Sequence, residues 1–243
     1  MEFYEQLALA YDLLFPPSRE QRAWALDFAD GGPILDAGCA TGELLLSLAR
    51  AGIRTFGFDP DELMISLARE KAAPLADPPE FRIGDLEGAA EMYQKGFFRR
   101  LICLGNTLAH LEDRESVQEV CFDLASLLGP GARIAVQLLN YDRIMRLKPT
   151  ELPPLSYADG TREISFNREY RYDDKGIRFI GTLIDEEGEN RSETRLQPIG
   201  RNQLETVLNG AGFTEVAVWS DYEETPADDD SPVLLFTAET PRP

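Results

Sequence analysis

The chain has 243 residues, within reach of one α/β domain or one domain carrying an inserted subdomain. Hydrophobic residues make up 43% and charged residues 28%, a balance that supports a core and excludes wholesale disorder. The formal charge of −19, from 24 basic and 43 acidic residues, repels phosphate backbones and anionic bilayers, so it argues against nucleic acid or a membrane as partner and is compatible with a cationic small ligand.

The first stretch, "MEFYEQLALAYDLLFPP", opens with an acid and has no basic n-region, so no signal peptide is expected. No apolar run approaches ~20 residues, so no membrane span is expected either. Cys39, Cys103 and Cys121 are widely spaced and accompany a single histidine, which leaves no zinc framework. Cys103 and Cys121 read as small core residues, and free thiols fit a cytoplasmic location.

From Pro33 to Asn140, strand-like runs alternate with helical spacing. The runs are "ILDA" (34–37), "RTFGFD" (54–59), "EFRIGD" (80–85), "RLICLGN" (100–106) and "RIAVQLLN" (133–140). Between them, Leu44, Leu45 and Leu48 share one helical face, Leu63, Met64 and Leu67 a second, and Val117, Val120, Leu124 and Leu127 a third. "GPG" at 129–131 reads as the stop of that third helix. Such alternation predicts a doubly wound, mostly parallel sheet covered on both faces.

After Asn140 the texture changes. "LKPTELPP" (147–154) reads as a Pro-punctuated connector, and residues 161–198 as three antiparallel strands joined by turns at "DDKG" (173–176) and "EEGEN" (186–190). "NQLETVLNGAGF" returns to helical spacing, and "EVAVWSD" and "VLLFTAE" read as two last strands. Between those strands, "DYEETPADDD" reads as a solvated acidic loop. The expectation is a single seven-stranded α/β domain over 1–243, with a β-rich lid inserted at 141–198.

The most informative stretch is "ILDAGCATGEL". An apolar strand runs into a glycine turn and then a helix, which places a ligand at the carboxyl end of the strand. A P-loop would need GxxxxGK[ST], and here Glu43 follows Gly42. A dinucleotide fingerprint would need GxGxxG, and here the spacing is Gly38-x-x-x-Gly42. Asp36 and Glu43 make the turn electronegative, which disfavours phosphate and suits positive charge. Asp59, ending the next strand in "TFGFDP", can receive both hydroxyls of a ribose. Asp85 beside Leu86, one strand further, can frame an adenine.

"LDAGCATGELLLSLARAGIRTFGFDPDELMISLARE" resembles the first two units of the class I S-adenosylmethionine-dependent methyltransferases, and the resemblance runs from about Tyr4 to the last strand. "LICLGNTLAHLED" (101–113) and "LLNYDRI" (138–144) resemble the glycine and glycine/sarcosine N-methyltransferase branch. The resemblance implies S-adenosylmethionine as cofactor, a small-molecule acceptor and in-line methyl displacement. It implies that Asp36, Ala37, Gly38 and Gly42 meet the methionine part, Asp59, Pro60 and Met64 the ribose side, and Asp85 and Leu86 the adenine. Leu104 and His110 would run along the cofactor, Tyr4 and Tyr11 would cover it, and Arg19, with Arg22 as alternative, would take its carboxylate. Gly105, Asn106 and Tyr141 would line the acceptor space as catalytic residues, with the Gly105 carbonyl receiving an amine proton.

The chain departs from that branch at Leu139, where the glycine-methylating relatives carry the arginine that grips the substrate carboxylate. Either another arginine substitutes (Arg143, Arg168, Arg195 or Arg201) or the acceptor lacks a carboxylate. Two readings of other classes stand beside the enzyme: a cofactor-binding regulatory protein without catalysis, and a nicotinamide-dependent oxidoreductase on the same kind of sheet.

Overall fold

The computed structural model describes residues 3–29 and 31–242, without the side chain of Tyr4. Two helices come first, α1 (Phe3–Leu14) and α2 (Arg19–Phe28). Ser18 caps the second, its hydroxyl oxygen accepting from the Gln21 amide at 3.1 Å. The alternating half follows: β1 (Ile34–Ala37), α3 (Glu43–Arg50), β2 (Thr55–Asp59), α4 (Glu62–Ala72), β3 (Glu80–Ile83), α5 (Ala89–Met92), β4 (Phe98–Cys103), α6 (Arg114–Leu127) and β5 (Leu128–Leu139). A 3₁₀ turn, Thr107–His110, lies between β4 and α6. The second half holds α7 (Tyr141–Leu147), β6 (Glu151–Ala158), β7 (Glu163–Asp173), β8 (Gly176–Asp185), β9 (Gly188–Leu196), α8 (Arg201–Gly210), β10 (Thr214–Trp219) and β11 (Val233–Glu239).

Seven strands form one sheet in the order β10-β11-β5-β4-β1-β2-β3. β3, β2, β1, β4 and β5 run parallel; β11 runs against them, and the edge strand β10 pairs antiparallel with β11 and so shares their direction. The central strands are apolar on both faces: Ile34, Leu35, Leu101 and Ile102 are fully buried between helices. The doubly wound architecture is the one the strand–helix alternation predicts, with an antiparallel insert after the fifth strand.

The insert differs from expectation in one element. It is a four-stranded sheet, β6-β7-β8-β9, and its first strand covers part of the stretch read as a connector. Pro153 and Pro154 are tolerated because β6 is an edge strand, and its register shifts between Leu152 and Leu155. The two hairpins close where expected, at Asp173↔Gly176 and Asp185↔Gly188. "GPG" differs too. Helix α6 stops at Leu127, but Leu128 is already extended and 129–131 open β5 instead of capping the helix. No helix among the described residues is long and apolar enough to cross a membrane.

Candidate functional site

Beside β1, the chain order reverses: β2 continues the sheet on one side and β4 on the other. A crevice opens at such a switch point, at the carboxyl ends of the strands. Here it is a cavity of about 540 Å³ between the glycine turn, α1, the β4 end and the inserted sheet.

The turn is built by packing. The Gly38 and Cys39 amides both donate to the Phe58 carbonyl, at 2.9 and 3.0 Å, which ties the turn to β2. Gly38 has φ +87°, and a Cβ there would lie 2.6 Å from Thr107 Cγ2. Gly42 has φ +75° and is stripped for a different neighbour: its Cβ would lie 2.5 Å from the Phe81 ring. Gly57, paired with Asp36 across β1 and β2, leaves room for Leu45 and Cys39.

Charge is distributed unevenly around the cavity. Asp12 and Glu43 line it, and Lys71 pairs with both, at 2.6 and 2.9 Å, so one cation offsets part of their joint negative charge. Thr41 also donates to Asp12. Asp36 is different. It is 6% exposed, and burial, then the nearby Asp59 carboxylate, push its carboxyl up to about 7. Burial and the same acids raise the Tyr11 hydroxyl and the Cys39 thiol well above their usual ranges.

At the end of β4, Gly105 (φ +70°) and Asn106 (φ +73°) turn the chain out of the strand. Gln137 holds that turn, its Oε1 accepting from the Gly105 amide at 3.0 Å and its carbonyl from the Asn106 amide at 3.2 Å. The Asn106 amide group meets the Tyr141 hydroxyl, with Nδ2 at 2.9 Å, and Oδ1 accepts from the Leu139 amide at 3.1 Å. Tyr141 is fully buried behind Asn106, and burial raises its hydroxyl pKa. The sequence suggested that Tyr141 lines the acceptor space; in the structure it hydrogen-bonds Asn106 and lies behind the cavity lining.

The structure brings together Tyr11, Asp36, Gly38, Leu104, Gly105, Asn106 and His110 as lining of this cavity. His110 is exposed at the rim, and the surrounding protein mass lowers its imidazole pKa. Ala37 is buried at the end of β1. Asp59 joins the site through the lining residue Ala40, whose amide donates to Oδ2 at 2.9 Å, while Asp61 donates to Oδ1 at 3.0 Å. The Asp61 carboxylate in turn caps α4, so the segment carrying Asp59 is pinned.

Other candidates lie off the cavity. Pro60 is exposed, Met64 and Leu86 are packed into the interior, and exposed Asp85 accepts from the Gly88 amide at 2.8 Å. Gly42 is buried against Phe81. Arg19 is exposed in the first turn of α2, and Arg22 donates to the Pro17 carbonyl at 3.2 Å; Gln21 lines the cavity in their place. The side chain of Tyr4 lies outside the described residues.

Among the lining residues that were missed as site candidates or left as one option among several, Gln137, Tyr222 and Arg168 stand out. Gln137 sits inside the apolar run of β5, and only its alternation with buried Val136 and Leu138 could have marked it. Tyr222 turns inward from the acidic loop to pack on Trp24, with ring centroids 5.3 Å apart. That loop is therefore anchored as well as solvated: Asp221 accepts from the Glu223 and Thr225 amides, both at 3.0 Å. Of the four alternative arginines, Arg168 lines the cavity. Arg195 pairs with Asp173 and Arg201 with Glu205.

Residues 34–131 match a methyltransferase-domain family model. YqeM of Bacillus subtilis is 25% identical over 97% of this chain and 96% of that protein. The ubiquinone biosynthesis O-methyltransferase of Chromobacterium violaceum is 32% identical over 53% of this chain and 56% of its own length. The glycine N-methyltransferase of Mus musculus is 27% identical over 46% of this chain and 42% of its own. Among solved structures, the CcbJ methyltransferase from Streptomyces caelestis is similar with a TM-score of 0.81 and 22% identity, covering 98% of this chain and 97% of that one. CalS10, an amino pentose methyltransferase from Micromonospora echinaspora, is similar with a TM-score of 0.74 and 18% identity over 98% and 97%. Residues 34–131 are thus similar to a methyltransferase domain, and the fold of the chain is that of these class I S-adenosylmethionine-dependent methyltransferases.

Proposed function

We propose that this S-adenosylmethionine-dependent methyltransferase passes its methyl group to the nitrogen of a small-molecule amine. The observation that carries the reading is Asp36: a buried carboxylate without a basic partner among the described residues, in the wall of a cavity at the sheet's switch point. Such a group favours a ligand that brings positive charge and disfavours a diphosphate. The residues present thus fit the cofactor. When bound, it supplies a methyl group on a sulfonium.

The protein's part is binding, orientation and exclusion of water. Asp36 and the turn at Ala37 and Gly38 hold the cationic amino-acid part. Asp59 receives the ribose hydroxyls from a carboxylate already oriented by two backbone amides. Tyr11 and Leu104 cover the cofactor, and the insert at 141–198 roofs the acceptor as a lid on the single domain of 1–243. The Gly105 carbonyl accepts a hydrogen bond from an N–H of the incoming neutral amine, while Asn106, locked by Tyr141 and the Leu139 amide, fixes the shape of that turn. An amine brings its own lone pair and needs no strong base at the methyl group. The likeness to a glycine N-methyltransferase supports nitrogen.

Thermal shift tests the cofactor. S-Adenosylhomocysteine at 100 times its Kd is expected to add ~2.7 kcal/mol to the stability of the full chain. Stabilisation by NAD instead would replace this reading with a nicotinamide one. Asp59→Ala is expected to weaken S-adenosylhomocysteine binding by about 1–3 kcal/mol in calorimetry, through loss of charge-assisted hydrogen bonds; an unchanged Kd would remove Asp59 from the ribose. Label transfer from methyl-labelled cofactor to a panel of amines and phenols tests the receiving atom, and methylation confined to phenols would sink nitrogen.

A further inference from the structure

We infer that the acceptor carries a carboxylate and that Arg168, on the inserted sheet, receives it; this deepens the methyl-transfer reading above and rests on it. The register of the insert fixes what surrounds this arginine. Across β6 it faces Leu152, and across β8 it faces Gly181. Two residues away along its own strand lie Phe166 and Tyr170, both buried. Residues directly opposite in a ladder, and residues two apart, share a face. The face that roofs the cavity is thus apolar around one guanidinium, and the room left by Gly181 is taken by the Phe166 ring.

That guanidinium is under-partnered. Nη2 donates to the Pro153 carbonyl at 2.7 Å, and Nε is shut off from solvent with no acceptor. No acid pairs with Arg168 among the described residues, although neighbouring arginines of the insert are paired: Arg178 and Arg195 with Asp173. Burial works against the charge it carries. A cation turned inward on an apolar face and left without an acid is costly unless a ligand completes it.

The ligand that fits is a carboxylate. A guanidinium offers parallel donors matched to a planar two-oxygen acceptor, and a single cation balances a monoanion. Phosphate would bring up to a second negative charge into a cavity that already holds Asp36. Arg168 therefore stands where Leu139 cannot act. The grip comes from the roof and not from the end of β5, and a longer or differently bent acceptor than glycine is implied.

The test uses the full chain, methyl-labelled S-adenosylmethionine and a metabolite extract of the source cells. The labelled product is isolated, treated with acidic methanol and weighed by mass spectrometry, where each carboxyl gains one methyl ester. The expected product forms an ester. With that product's precursor as substrate, Arg168→Met is expected to raise KM roughly 10- to 100-fold, from loss of a charge-assisted bond, while the Kd for S-adenosylhomocysteine stays within about twofold. A product with no carboxyl, or an unchanged KM in a variant that still binds S-adenosylhomocysteine, overturns the inference and leaves methyl transfer intact. Failure of the wild-type chain to transfer any label overturns both.

Discussion

Asp36→Asn is expected to make the ligand-free protein more stable at pH 8 while weakening its hold on the cofactor. The wild-type carboxyl is raised to about 7 by burial, with the Asp59 charge adding to it. In the unfolded chain it titrates near ~3.9. The folded state therefore binds this proton more tightly. Its contribution is fully present below about pH 4, declines as pH rises toward 7, and levels off above that, at a cost on the order of 4 kcal/mol. Asparagine has nearly the same shape and nothing to ionise. Urea titrations of both proteins at pH 5 and pH 8 should show a gap that widens with pH, because other carboxyls contribute equally to both. A gap that stays constant would mean that Asp36 is not an uncompensated acid. Calorimetry at pH 8 should show S-adenosylmethionine binding more weakly to the variant.

Gly38→Ala is expected to destabilise the chain by about 2–5 kcal/mol, from two separable causes. The first is backbone: at φ +87° an L side chain is strained. The second is collision with Thr107, whose Oγ1 and Cγ2 would lie 2.8 and 2.6 Å from the new Cβ. Thr107 cannot swing away freely, because its hydroxyl donates to the Leu104 carbonyl at 2.6 Å. Gly52→Ala serves as the reference. Gly52 has φ +84° and open space within 4 Å, so it carries the backbone cost alone. Denaturation midpoints of the two variants give the steric part by difference, and Thr107→Ala added to Gly38→Ala should recover that part. Equal losses at 38 and 52 would show that the turn yields to Thr107.

What could be read beforehand follows the range of the interactions. β1 and β11 have the boundaries that their apolar runs suggest, and both hairpin turns fall on the polar stretches read as turns. These are local signals. β6 was hidden because two consecutive prolines normally argue against a strand, and only its edge position makes them tolerable. The glycine turn was legible for the same local reason, although the structure assigns Gly42 to Phe81 and not to the cavity wall. Lys71 reaches Asp12 and Glu43 from another helix, and Arg168 depends on the register of three strands. Neither is visible along the chain. Tyr222 was masked by the acids around it.

The proline pair in β6 also bears on how copies of the chain behave when crowded. Pro153 and Pro154 have no amide hydrogens, and the strand is kinked at that point, so this border offers a broken row of donors to any extended segment that approaches. The opposite border, β9, alternates Glu189, Arg191, Glu193 and Arg195, a pattern that tolerates only a complementary neighbour. Growth of the small sheet into a shared ribbon between molecules is thereby discouraged at both margins, and the side that faces the cavity stays available to small solutes.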